Sequence, residues 1–222
     1  MSENKMSVDK LLNGLMVRNP ELGTVKKEIS NAFEVLKISF ENQGKLLICG
    51  NGGSAADGDH IVGELMKSFS MTRAIPKELK IKLEKHFEDE GVYISTRLEG
   101  ALPAISLNAH SALNSAFAND VDAQLIFAQQ VLGYGNSNDV LLGISTSGNA
   151  KNVIAAMMVA KAKGMKVIGL VGRDGGDFNK YCDVLINVGG DCTPQIQELH
   201  LPVYHILCQM LESYFFKDKE MV

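Results

Sequence analysis

Apolar residues recur at helical spacing over the first forty positions and then change character. Leu11, Leu12, Leu15 and Met16 form one stripe, and Val25, Ile29, Phe33, Leu36 and Phe40 form a longer one. The i, i+3, i+4 spacing predicts N-terminal helices over about 7–42. Gly44 is expected to end the second, and Lys45 to Cys49 then reads as a short strand that, lacking alternation, is buried on both faces. Next come a glycine-rich turn, Gly50-Asn-Gly-Gly-Ser54, and a helix over about 55–69. The order returns with strand Val140 to Ile144, turn Ser145 to Gly148, and a helix from Asn149 to Lys163 that Gly164 stops. Strand Lys166 to Val171, turn Gly172 to Gly176, strand Val184 to Val188 and a helix from Pro194 to Phe216 complete the series. Between the halves, Leu102 to Leu107 reads as a strand and Ala123 to Leu132 as a helix. Lys77 to Asp89 is highly charged yet carries Leu79, Ile81, Leu83 and Phe87, which predicts an exposed helix. Strands alternating with helices imply an α/β fold: a three-layer, doubly wound parallel sheet with helices on both faces and an N-terminal helical extension.

At 222 residues, with no low-complexity linker, the chain is expected to form a single domain over 1–222, its core over about 45–216. A hydrophobic fraction of 45% and a charged fraction of 22% exclude disordered and fibrous classes. The net charge of -4 lacks the electrostatic footprint of a nucleic-acid binder. Apolar runs are too short to cross a membrane, and Met-Ser-Glu-Asn-Lys does not open a secretory signal. Cys49, Cys182, Cys192 and Cys208 form no CxxC pair, and read as reduced, mostly buried thiols of a cytoplasmic protein.

Two turns carry candidate chemistry. A turn from a parallel strand into a helix gathers backbone N–H groups at the positive end of a helix dipole. Ser145, Thr146 and Ser147 add three hydroxyls to one such turn, and Gly148 supplies conformational freedom. No GxxxxGK[ST] is present, and GxGxxG fails at its third glycine, where Ala55 stands, so no nucleotide cofactor is expected. Each turn alone reads equally as an ordinary connection with Ser145 as a helix cap; together they point to a small phosphorylated ligand at the strand ends.

Cys49-Gly-Asn-Gly-Gly-Ser54, Leu142-Gly-Ile-Ser-Thr-Ser-Gly-Asn149 and Ile196-Gln-Glu-Leu-His200 together resemble the sugar isomerase (SIS) domain family and, within it, the phosphoheptose isomerases. The resemblance covers most of the chain from about Val25 to Leu211. His60 and Glu64 share one helix face, and imidazole, carboxylate and amide oxygen suit a divalent cation. The resemblance implies a metal, usually zinc, at His60, Glu64, Gln197 and His205. Eight residues of ideal helix rise about 12 Å, near the limit at which Gln197 and His205 could meet around one ion. Either the helix departs from ideality near Pro202, or a neighbouring subunit supplies part of the site. A homotetramer with sites near subunit interfaces is the family's usual arrangement. The apolar faces marked by Leu11, Leu15, Phe33 and Phe40 suit such an interface or a cover for the sheet.

Moving a proton between adjacent sugar carbons through an enediol needs a base at carbon, a proton carrier at oxygen and stabilisation of the oxyanion. The resemblance assigns Glu64 as base and His205 as its partner. A cation would polarise the oxygens, yet a carboxylate that ligates a cation loses basicity. Asn51, Gly52, Gly53 and Ser54 would contact the sugar, Ser145, Thr146 and Ser147 its phosphate, and Asn119 and Asp120 its hydroxyls; Asp120 reads equally as a cap for the helix at Ala123. Two departures stand out. Ala150 occupies a position where the family commonly has a serine, and the charged stretch over about 70–98 is longer than the family's connection. The reaction so implied converts D-sedoheptulose 7-phosphate to D-glycero-D-manno-heptose 7-phosphate for lipopolysaccharide, capsule or related glycans. Alternatives are isomerisation of another sugar phosphate, or a non-catalytic SIS tetramer that binds a replication-initiator protein.

Overall fold

The computed structural model describes residues 3–217, with side chains from Val8 onward. Two helices open the chain, α1 (Glu3–Arg18) and α2 (Lys26–Glu41), joined by a 3-10 turn over Pro20–Val25. Strands β1 (Leu46–Gly50), β2 (Ala104–Ser106), β3 (Val140–Ser145), β4 (Lys166–Val171) and β5 (Val184–Asn187) form one parallel sheet in the order β2-β1-β3-β4-β5. Between and after them run α3 (Gly53–Met66), α4 (Lys77–Ser95), α5 (Ser111–Phe117), α6 (Ile126–Tyr134), α7 (Lys151–Ala162) and α8 (Thr193–Phe216).

Alternate residues of each strand enter opposite cores. Ile48, Leu142, Ile144, Ile168 and Leu170 pack with α1, α2, α3 and α8. Leu47, Cys49, Leu141, Val167 and Val171 pack with α6 and α7. Leu15 and Phe33 are buried in the first core, with Leu11 and Phe40 against it, so these faces cover the sheet. Gly143 lets α7 approach, since a Cβ there would lie 2.4 Å from Met157. This is the three-layer, doubly wound arrangement that the strand–helix alternation predicts.

Several expectations are adjusted. Gln43, not Gly44, takes the left-handed conformation after α2, while Gly44 is held small by the Asn138 carbonyl, 2.3 Å from where its Cβ would be. The charged stretch is not one straight helix. Glu88 has φ 45°, ψ −123°, and the chain folds back there so that Gly91 packs on the Leu83 carbonyl and Ser95 Oγ donates to Glu84 at 2.8 Å. Its apolar side chains Ile81, Phe87, Val92 and Tyr93 stay exposed. Before α6 lie α5 and a π turn over Ala118–Asp122, neither evident from the sequence pattern. Among the described residues the four cysteines are free, but only Cys49 and Cys208 are buried, and Cys192 is exposed. No described helix is long and apolar enough to cross a membrane.

A buried ion pair joins the segment after α3 to α8. Arg73 and Glu212 have fully buried side chains, with Nε 2.7 Å from Oε1. The Arg73 guanidinium also donates to the carbonyls of Glu64 and Leu65, both at 2.7 Å, satisfying orphan groups at the negative end of α3. Glu212 accepts further from the Phe69 and Ser70 N–H groups and from the Ser70 hydroxyl. Burial alone would raise the Glu212 carboxyl, but the bonds from Ser70, Phe69 and Arg73 outweigh it and hold it below the ordinary glutamate value. Glu212→Gln leaves the Arg73 charge buried and uncompensated. It is expected to cost about 3–5 kcal/mol, read as a lower urea midpoint at unchanged slope.

Candidate active site

In the order 2-1-3-4-5 the chain reverses direction of winding between β1 and β3, and their carboxyl-end loops leave toward opposite faces. Such a switch point opens a crevice at the strand ends. The loop after β1 enters α3 at Gly52, whose φ of 58° and ψ of −121° favour glycine. Ser54 is turned under this loop and buried, against Gly50. Asn51 and Asn152, at the start of α7, exchange two amide hydrogen bonds of 3.0 and 2.9 Å, tying the loops together across the switch point.

The Ser-Thr-Ser loop is braced from inside and from β4. Ser145 Oγ accepts from the Gly148 N–H at 3.2 Å, and Ser147 Oγ from the Asn149 N–H at 3.3 Å, which leaves both hydroxyl protons free to donate. Gly148 has φ 66° and lies under the Gly175 carbonyl, 2.0 Å from where its Cβ would be. The Thr146 carbonyl accepts from the Gly172 N–H. The N-cap side chains of α3 and α7 make no capping bond; the Ser54, Ala55 and Ala56 N–H groups donate to the Asn51 and Gly52 carbonyls, and the Val153 N–H of α7 donates to Asn152 Oδ1.

Helices α3 and α8 run parallel and in step. The Gln197 amide rests on Gly53, with Nε2 2.3 Å from where a Cβ would be. Seven residues further along each helix, Tyr204 meets His60 at the same offset of 144. There His60 Nε2 lies 3.1 Å from Glu64 Oε1, and the rings of His60 and His205 meet edge to face, centroids 5.0 Å apart. Phe69 closes the far side, its ring centroid 5.3 Å from that of His205. Glu64 Oε2 and His205 Nε2 are buried without hydrogen-bond partners. Burial, reinforced by His60 and opposed by Glu64, lowers the His205 pKa, so its imidazole stays neutral at neutral pH.

His60, Glu64 and His205 therefore meet, while Gln197 lies two turns away at the loop end. Among the described residues no three of His, Cys, Asp and Glu form a ready-made metal centre. His60 Nε2 is turned onto Glu64, and, separately, the rise of α8 carries Gln197 away from these three. The donor chemistry nonetheless fits a divalent cation, because two imidazoles and a carboxylate converge with two buried atoms unpartnered. Asn119 and Asp120 lie exposed in the π turn, where the Asn119 amide donates to Asp120 Oδ1 at 2.9 Å. No described hydrogen bond or ion pair joins them to the other candidates, and Asp122, not Asp120, caps the next turn.

Two residues of this cluster escaped the sequence pattern. Asp57 stands three before His60 and seven before Glu64 on the same face, and its Oδ1 accepts from the Tyr204 hydroxyl at 3.3 Å. Burial raises the Asp57 carboxyl, with Tyr204 and His60 pulling it back. That helical spacing was the signal available; nothing marked Tyr204 except its place before His205.

A SIS domain family model matches residues 91–172. A phosphoheptose isomerase of Helicobacter pylori (strain P12) is 40% identical over 198 residues, 86% of this chain and 90% of that protein. The chain belongs to the phosphoheptose isomerase family. A further member, from Clostridium acetobutylicum, is 34% identical over 197 residues, 89% of this chain and 87% of that protein. Among solved structures, a phosphoheptose isomerase from Neisseria gonorrhoeae matches with a TM-score of 0.71 and 31% identity, covering 94% of this chain and 98% of that one. Another, from Francisella tularensis, gives 0.70 and 28%, covering 96% and 99%.

His200, inside the motif that carries the family resemblance, is fully buried near Val171 of β4, and burial lowers its pKa to about 4. A folded-state value below the ordinary 6.5 means that its contribution is complete above pH 6.5 and is lost as pH falls toward 4. At pH 5 the loss is about 2 kcal/mol. His200→Leu is expected to remove that share of the stability difference between urea unfolding at pH 7.5 and at pH 5.

Proposed function

We propose that this phosphosugar isomerase converts D-sedoheptulose 7-phosphate to D-glycero-D-manno-heptose 7-phosphate, supplying heptose for lipopolysaccharide, capsule or related glycans. The observation that carries the reading is the meeting of Glu64, His60 and His205 on two in-step helices whose N-termini open beside a triple-hydroxyl loop. Ser145, Thr146 and Ser147 with the N-terminus of α7 take the phosphate, while Asn51, Gly52, Gly53 and Gln197 line the sugar and Ser54, buried beneath the loop, supports it. Asn119 and Asp120, exposed in this chain, serve the sugar hydroxyls from the π turn.

Glu64 takes a proton from C1 of the ketose as the C1–C2 double bond forms and the C2 oxygen gains a proton, giving the enediol. His205, neutral at neutral pH, carries a proton between O1 and O2. The aldehyde forms at C1 as Glu64 returns its proton to C2, so atoms and charge balance over the cycle. His60, Glu64 and His205, with Gln197 from the same or a neighbouring subunit, would hold a divalent metal, taken as zinc, which when bound supplies polarisation of the sugar oxygens. The two Glu64 oxygens are distinct: Oε1 faces His60 and Oε2 is unpartnered, so ligation and basicity need not fall on one atom. Free cysteines support a cytoplasmic setting, and the exposed apolar side chains of α4, with Val17 of α1, support assembly as a homotetramer.

A panel of C5 to C7 ketose phosphates, with metal analysis of the same sample, tests the reading. Turnover of sedoheptulose 7-phosphate with about one divalent ion per site is expected; activity confined to a shorter ketose would change the substrate. Glu64→Gln should lower kcat about 10²–10⁴-fold with the far-UV spectrum unchanged. Ala150→Ser restores a hydroxyl at the mouth of α7, and a single added hydrogen bond of about 1 kcal/mol predicts a KM roughly fivefold lower.

A further inference from the structure

The charged stretch leaves the body of the molecule and returns to it at one point. The Gly100 N–H donates to the Arg73 carbonyl at 3.0 Å, and the Ala74 carbonyl lies 2.9 Å from where a Gly100 Cβ would be. Everything between is therefore an arm. No residue of α4 enters either core, and within α4 only Gly91 and Ser95 are buried. Its 19 residues are broken at Glu88, so each leg is shorter than about 12–15 residues, the length below which an isolated helix is marginal in water. Helices that short persist by burying an apolar face. Here Ile81, Phe87, Val92 and Tyr93 stay open to solvent, so a single arm leaves that requirement unmet.

The charges of the arm say what meets it. The first leg carries Lys77, Lys80, Lys82 and Lys85 against Glu78 and Glu84, whereas the break carries Glu88, Asp89 and Glu90 in succession. Only Lys80 and Glu84 pair within the arm, 3.9 Å apart. Lys77, Lys82, Lys85, Glu88, Asp89 and Glu90 form no ion pair among the described residues. A partner of one charge sign would be drawn to one end of this arm and repelled by the other. A two-fold contact has a different requirement, since each copy must complement itself when turned end for end. Segregated charges of both signs on one short arm satisfy it. We propose that α4 pairs with α4 of a second copy of this chain, antiparallel across a two-fold axis, with the acidic turn of each arm on the basic leg of the other and apolar side chains between them.

Two folded-back arms packed in this way make a four-helix contact, which gives each short leg the apolar neighbours that one arm lacks. The like-signed ends are held apart, so the charges fix the direction of pairing as well as the partner. The inference rests on the reading that the chain assembles and deepens it by naming the contact; it is independent of which sugar is turned over. An assembly held wholly by other faces would lack this contact and would be indifferent to the charges of the arm.

The experiment uses the full chain. Carbodiimide joins amines to carboxylates without a spacer, and an equal mixture of 14N- and 15N-labelled chains separates links between copies from links within one. Links between copies are expected from Lys77, Lys82 or Lys85 to Glu88, Asp89 or Glu90. Their absence would overturn the proposal, and this outcome needs no variant to fold. The second measurement is the self-association constant by sedimentation. Reversing the leg (Lys77→Glu, Lys82→Glu, Lys85→Glu) or the turn (Glu88→Lys, Asp89→Lys, Glu90→Lys) leaves arms of a single sign. Each set should weaken self-association roughly tenfold or more, with the far-UV spectrum unchanged. Mixing the two variants, or combining all six changes in one chain, should restore it. Added salt should loosen the wild type and tighten the two single-sign variants. If both variants assembled as tightly as the wild type, the arms would not pair, and an assembly reading would then rest on other surfaces alone.

Discussion

The Arg73–Glu212 pair is the constraint on which the arrangement of the site depends. A guanidinium and a carboxylate taken wholly out of water are tolerable only when each is surrounded by partners, and here each is. Because Arg73 binds the last carbonyls of α3 and Glu212 belongs to α8, one ion pair fixes where α3 stops and how deep α8 lies beside it. Glu64 contributes both a backbone carbonyl to that clamp and a side chain to the cluster with His60. Stability and site geometry are therefore set by the same few atoms.

The sheet supplies the other half of the placement. Parallel strands deliver every strand-to-helix loop to one edge, and the change of winding between β1 and β3 sends two of them toward opposite faces. The reciprocal amide bonds of Asn51 and Asn152 limit how far the loops can part, and the glycines after β4 support the Ser-Thr-Ser turn from behind. The two loops are thus held by backbone and amide contacts rather than by charged side chains.

Much of this was legible in the sequence because its signals are local. Unbroken apolar runs such as Val167 to Val171 mark buried parallel strands, and Gly164 marks a helix end, with a φ of 76° in the structure. The meeting of His60, Glu64 and His205 follows from spacing and family resemblance together. What was not legible depends on long-range or cooperative effects. The reversal at Glu88 carries no glycine or proline; it arises where Gly91 can sit on Leu83. The π turn over Ala118–Asp122 has no distinguishing composition, so the cap fell on Asp122 rather than Asp120. The separation of Gln197 from His205 was foreshadowed by helix rise alone, whereas the pairing of Tyr204 with Asp57 required knowing which faces of two distant helices touch.

The parallel, in-step packing of α3 and α8 carries a consequence for how this chain can vary. Residues on the shared seam are counted in whole turns from a common origin at Gly53 and Gln197. Deleting one residue of α8 between Gln197 and His205 would swing everything downstream by about 100° around the helix axis. That would carry the imidazole off the seam while leaving the amide in place. Length changes are therefore confined to segments outside the seam, and the folded-back stretch at α4 is one where added chain alters no such count.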